Sequence, residues 1–286
     1  REGIIAHMAK LCQPNKDIHT ERLILGEETN GTRANRKAAL RPMTSCCGTQ
    51  QKAQEIRPER PSCVDCKTLG CAHNNGRYPS FCETRGMTDE EAALLRHDYE
   101  EDAETYEFMK ATAETTARGF SEQLCRAEET MDYARRMGYK KIGIAFCAGV
   151  ADEAQIFAKI LRIHNYEVVG YTCKVGALSN AQMGLKESCC NFGLVACNPL
   201  TQVRRLNAEK TDLNVLMGLC VGHDSYFYKL SDAPVTTLMT KDKAMVNNPG
   251  AALWASTTSS LWNRMMRPDE SFAARDDAQE KMSGQE

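Results

Sequence analysis

The chain has 286 residues, 42% of them hydrophobic, which is enough to build one sizeable core with appendages. Its 36 basic and 38 acidic residues give a net charge of -2, so no sequence-independent attraction to nucleic acid or anionic lipid is expected. No apolar stretch approaches the roughly 18 residues of a membrane span, and the opening REGIIAHMAKLC lacks the apolar core and cleavage site of a signal peptide; both point to the cytoplasm.

Residues 1–60 are polar and without periodicity, and read as a disordered extension. Residues 61–87 form a cysteine-rich module too poor in apolar side chains to fold around a core. Thr88 and Glu91 have capping-box spacing, and the Glu- and Ala-rich stretch behind them predicts a helix to about Arg118. A second helix is expected from about Ser121 to Met137, with Leu124, Ala127, Met131 and Ala134 on one face and Gly138 as its stop. These helices, in 88–138, should pack on a sheet.

The sheet belongs to 139–262. KKIGIAFC, EVVGYTC, LNVLMGLC and PVTTLMT read as strands, separated by a helix from Val150 to Ile163, one opening at Asn198 and Pro199, and a short one from Ser225 to Leu230. Asn248 and Pro249 open another, and a charged tail over 263–286 reads as disordered. Continuous apolar strands alternating with helices predict an α/β fold: a parallel, Rossmann-like sheet with helices on both faces.

Fourteen cysteines need an account. In a reducing compartment they are buried thiols, metal ligands or reactive groups. All strands of a parallel sheet point one way, so the residues beyond their ends gather along one edge, where open α/β folds bind ligands. Cys147, Cys173 and Cys220 each end a strand, and Cys197 immediately precedes a helix cap, where the dipole favours a thiolate. The four are expected to face one crevice, as a cofactor-binding set or as core thiols. Thiolates select zinc, Cu(I) or iron-sulfur clusters. Cys220, His223 and Asp224 on one turn alternatively have the composition of a nucleophile, its base and an orienting carboxylate. Lys174 and Lys241, just past strand ends, suit an anionic substrate or plain solvation. Chemistry on a small molecule or with a redox partner would belong to this edge.

A second cluster lies upstream. Cys63, Cys66, Cys71 and Cys82 begin with a CxxC turn and have spacing for a four-coordinate structural metal, zinc before iron-sulfur, whose binding would supply the module's folding free energy. His73 is a substitute ligand or a loop residue. The adjacent Cys189 and Cys190 read as a chance pair or a redox pair, and Cys12, Cys46, Cys47 and Cys125 carry no assignment. The sequence has no GxGxxG, P-loop, HExxH or GxSxG.

Taken together, CVDC with Cys71, then RRMGYKKIGIAFCAGVADEA, YTCKVG, CNPLTQ, GLCVGHDS and APVTTLMTKD resemble the cysteine-rich family catalogued as domain of unknown function 1847, over roughly Cys63 to Trp254. The resemblance implies metal binding by the N-terminal cysteines Cys63, Cys66, Cys71 and Cys82, and brings no established reaction. The expectation is a metal-binding α/β protein with a structural four-cysteine site and a thiolate-rich site at the sheet edge. Its alternatives are a metal-independent thiol enzyme using Cys220 with His223, or a metal-carrying or scaffold protein without turnover.

Overall fold

The computed structural model describes residues 59–186, 193–256 and Met265. Cys12, Cys46, Cys47, Cys189 and Cys190 lie outside them, as do the expected tail apart from Met265 and all but the last two residues of the expected extension. The chain divides into two compact units, Arg1–Lys67 and Thr68–Glu286. In the first, Cys63–Asp65 form a 3-10 turn closed by Ser62 N–H donating to Asp65 Oδ2 at 2.8 Å.

The second unit holds a four-stranded parallel sheet: β1 (Lys141–Phe146), β2 (Glu167–Thr172), β3 (Leu213–Met217) and β4 (Val235–Met239), in the order β2-β1-β3-β4. Central β1 and β3 are buried nearly throughout, whereas edge strands β2 and β4 are largely half-buried. That is why β1 and β3 read as apolar runs without alternation. Its helices are α1 (Gly70–His73), α2 (Glu83–Gly86), α3 (Asp89–Glu101), α4 (Ala103–Glu122), α5 (Arg126–Arg136), α6 (Ala151–Ile163), α7 (Pro199–Ala208), α8 (His223–Leu230) and α9 (Pro249–Ala255).

Strand periodicity divides the core in two. Ile142, Ile144, Leu213, Val215 and Met217 pack against Ala154, Phe157 and Leu161 of α6 and Ala134 of α5. On the opposite face Ala145 and Leu216 meet Val203 and Leu206 of α7 and Phe227 of α8. Asn214 interrupts that face. It is fully buried, with Oδ1 accepting from Thr211 Oγ1 and Nδ2 donating to Ser231 Oγ, both at 2.8 Å. Gly143 makes room for it, since a Cβ there would stand 2.1 Å from Asn214 Oδ1.

The helix expected from Thr88 to Arg118 is two helices. Asp102 breaks it, because its carboxylate accepts from the Glu104 and Thr105 N–H groups and caps α4. The chain then continues to Glu122, so the following helix starts at Arg126 rather than near Ser121. Ala127, Met131 and Ala134 nonetheless face the sheet as expected, and Gly138 takes φ +71° beyond the helix end. The caps at Thr88, Asn198 and Asn248 form as the sequence indicates.

Candidate functional site: a sulfur-lined switch point

From β1 the chain moves to β2 on one side, then returns to β3 on the other. This reversal makes the C-terminal ends of β1 and β3 the topological switch point, where open α/β sheets place ligands, with helices packed on both faces of the sheet. The residues past these strand ends are the expected cysteines.

Cys147 follows β1. Its N–H donates to Met217 O at 3.0 Å, and its Sγ accepts from Gly149 N–H at 3.4 Å at the start of the 3-10 turn Ala148–Val150. Cys173 follows β2, with its N–H on Phe146 O at 2.8 Å and its Sγ accepting from Ala148 N–H at 3.4 Å. The Cys147 and Cys173 thiols lie near enough for each to act on the other's ionisation. Cys197 Sγ receives Lys174 Nζ at 3.4 Å, and the same ammonium donates to Val195 O at 2.6 Å. Cys220 lies past β3, near enough that charge on Cys147 and Cys197 acts on it. The fold therefore brings all four sulfurs together.

They are not equivalent. The Cys173 hydrogen bond, the Gly149 N–H and the Lys241 ammonium bring the Cys147 thiol down to about 5, overcoming its partial burial. Cys173 is driven far upward, because it keeps its proton to donate to Cys147 and is only 3% exposed. Burial and the neighbouring sulfur charges also push Cys220 up, against the opposing pull of Lys243 and Lys241. The environment thus favours a thiolate at Cys147.

The group at Cys220 is arranged differently from a nucleophile, base and orienter. Asp224 Oδ1 accepts from Gly222 N–H at 3.0 Å and Ser225 N–H at 2.7 Å, fixing the start of α8. Among the described residues no hydrogen bond joins the His223 side chain to Cys220 or Asp224; only backbone N–H groups of His223 and Asp224 reach Cys220, at its carbonyl. At α7 the cap is Asn198, whose Oδ1 accepts from Thr201 N–H at 3.0 Å. Cys197 immediately precedes that cap, as expected, and the sulfur that itself caps a helical turn is Cys147.

Gln202 also belongs to this edge, although no sequence motif marks it. Fully buried on α7, it donates from Nε2 to Phe146 O at 3.2 Å and Tyr171 O at 2.7 Å, tying together the strand ends that carry Cys147 and Cys173. Its one signal in the sequence is an amide beside Val203 and one turn before Leu206 on the apolar stripe of α7.

Cys63 and Cys66 belong to the unit Arg1–Lys67, and Cys71 and Cys82 to Thr68–Glu286. Cys71 is exposed on α1, and Cys82 is half-buried at the start of α2. Among the described residues, no group of three or more His, Cys, Asp or Glu side chains is placed to hold a metal ion.

The fold and this edge define an open parallel α/β protein with cysteines at its switch point. The chain belongs to the family described as Protein of unknown function (DUF1847), whose model matches residues 82–238, more than half the sequence. The match starts at Cys82, so Cys63, Cys66 and Cys71 precede it. An uncharacterized protein of Methanocaldococcus jannaschii is 43% identical over 129 residues, covering 45% of this chain and 66% of the relative, just under two thirds of its length. No solved structure matches the chain. No described helix is long and apolar enough to cross a membrane.

Proposed function

We propose that this sheet edge is a centre of thiol chemistry, with Cys147 as the attacking thiolate on a small anionic substrate. The observation that carries this reading is the setting of Cys147 Sγ, which accepts from Gly149 N–H at 3.4 Å and lies, with Lys241 Nζ, beside Gly149, next to the paired Cys173. A thiolate so stabilised is abundant at neutral pH, where an ordinary thiol at about 8.5 is mostly protonated. Lys174, Lys241 and Lys243 act on three of the four sulfurs and favour a negatively charged partner.

Iodoacetamide labelling followed by peptide mapping tests this. Labelling of Cys147 should rise with pH to a plateau already reached by pH 7, and Cys147→Ser should remove that phase while Cys220→Ser leaves it. A labelling curve centred between pH 8 and 9 would sink the proposal.

Soft-metal binding is the second reading: four cysteines lie along this edge and thiolates take zinc or iron-sulfur clusters, although as they stand no three of them are grouped as a ligand set. Metal analysis and a visible spectrum after purification without air separate the two. Stoichiometric metal lost in Cys147→Ser would replace the thiol reading.

A further inference from the structure

Cys147 and Cys173 are more than two members of a sulfur cluster. Phe146 and Thr172 are the last pair in the β1–β2 register, and Cys147 and Cys173 directly follow them on adjacent parallel strands. Adjacent strands run about 4.8 Å apart, inside the roughly 4.4–6.8 Å Cα range that a disulfide spans. The hydrogen bond from Cys173 N–H to Phe146 O at 2.8 Å carries the pairing to the cysteines themselves. Gln202 holds the two strands immediately below, through Phe146 O and Tyr171 O. Paired positions on parallel strands share a face, and both cysteines border the same core cluster.

They also differ in access. Cys147 is half-buried and Cys173 is buried at 3% exposure. Cys147 is therefore the more accessible of the two to an incoming molecule. That asymmetry separates an attacking thiol from a resolving one.

We propose that Cys147 and Cys173 form a two-cysteine redox pair that exchanges with an anionic low-molecular-weight disulfide, Cys147 attacking and Cys173 resolving. The Cys147 thiolate attacks one sulfur of R–S–S–R; the substrate S–S bond breaks, a mixed disulfide forms on Cys147 and RS⁻ departs. The departing thiolate takes the Cys173 proton as RSH. Cys173 Sγ then attacks Cys147 Sγ, displacing a second RS⁻, which is protonated from solvent to replace the proton Cys147 had already released. Two electrons pass from the protein dithiol to the substrate, leaving a Cys147–Cys173 disulfide and two RSH. Lys174 and Lys241 at the mouth select the anionic disulfide over a cationic one.

This inference rests on Cys147 being the nucleophile, and the test separates the two. The reduced full chain is treated with oxidised glutathione and, in parallel, with cationic cystamine at low ionic strength, quenched in acid and mapped by mass spectrometry. The expected result is a Cys147–Cys173 disulfide with release of two glutathione equivalents, formed several-fold faster with glutathione disulfide than with cystamine. Cys173→Ser should halt at a stable glutathione adduct on Cys147. The wild-type peptide map remains decisive even if that variant folds poorly. A persistent adduct on wild-type Cys147 with no bond to Cys173 would overturn the redox pair while leaving the nucleophile intact. Absence of any adduct, together with slow iodoacetamide labelling, would remove both. A cystamine rate equal to or above that of glutathione disulfide would overturn the anionic selectivity.

Discussion

At the residue scale the decisive feature is asymmetry within a set of chemically identical side chains. Cys147, Cys173 and Cys220 all follow strands, yet only Cys147 is held well below the ordinary thiol value, by Cys173, the Gly149 amide and the Lys241 ammonium. Lys241 stabilises the charged form, so Lys241→Met should raise the Cys147 pKa. The pH midpoint of its labelling should then move upward, with slower labelling at pH 6 and little change at pH 9. An unchanged midpoint would mean that Lys241 contributes nothing to the thiolate. Strand ends in cysteine were legible in the sequence. Which sulfur's surroundings favour the thiolate was not, because that depends on Lys241, 94 positions away along the chain, and on backbone amides of a turn whose geometry the fold imposes.

At the element scale, β1 and β3 could be read because both faces of each are covered and apolar side chains run without interruption. The exception inside that run, Asn214, has its amide satisfied by Thr211 and Ser231, and the absent side chain at Gly143 accommodates it. Gly143→Ala would force a methyl group toward Asn214 Oδ1. It should destabilise the protein by about 1–3 kcal/mol, the usual range for overpacking a core, and a urea midpoint equal to wild type would refute that account. The helix boundaries from 88 to 138 were less legible. Glu- and Ala-rich sequence favours a continuous helix, and only the local carboxylate of Asp102, turned onto the next amides, decides that the chain breaks there.

At the scale of the whole molecule, α5 joins the sheet to α4, and a buried carboxylate organises the joint. Asp132, 5% exposed, accepts from Arg118 at 2.8 Å, Arg135 at 2.8 Å and Arg136 at 2.7 Å, and Arg136 also pairs with Glu114. Burial alone would raise its pKa, but the three guanidinium groups hold it well below the usual carboxylate range. A depressed folded-state pKa gives stability that is present above the unfolded value near 4 and lost as pH falls toward the folded value. Asp132→Asn should therefore cost about 1.5–3 kcal/mol near neutral pH, the range for hydrogen bonds to charged groups. That cost should shrink below pH 4, as followed by urea unfolding at several pH values; a pH-independent difference would show that the charge is not what matters.

Local sequence pattern was sufficient for the parallel α/β class, the strand segments, the principal caps and the presence of cysteines at the strand ends, because all of these follow from periodicity and from the shared direction of parallel strands. The strand order β2-β1-β3-β4, which places Cys147 and Cys173 side by side, came only with the folded arrangement. So did the assignment of the thiolate to Cys147 rather than Cys220, since charge on sulfur is set by through-space donors that no local pattern encodes.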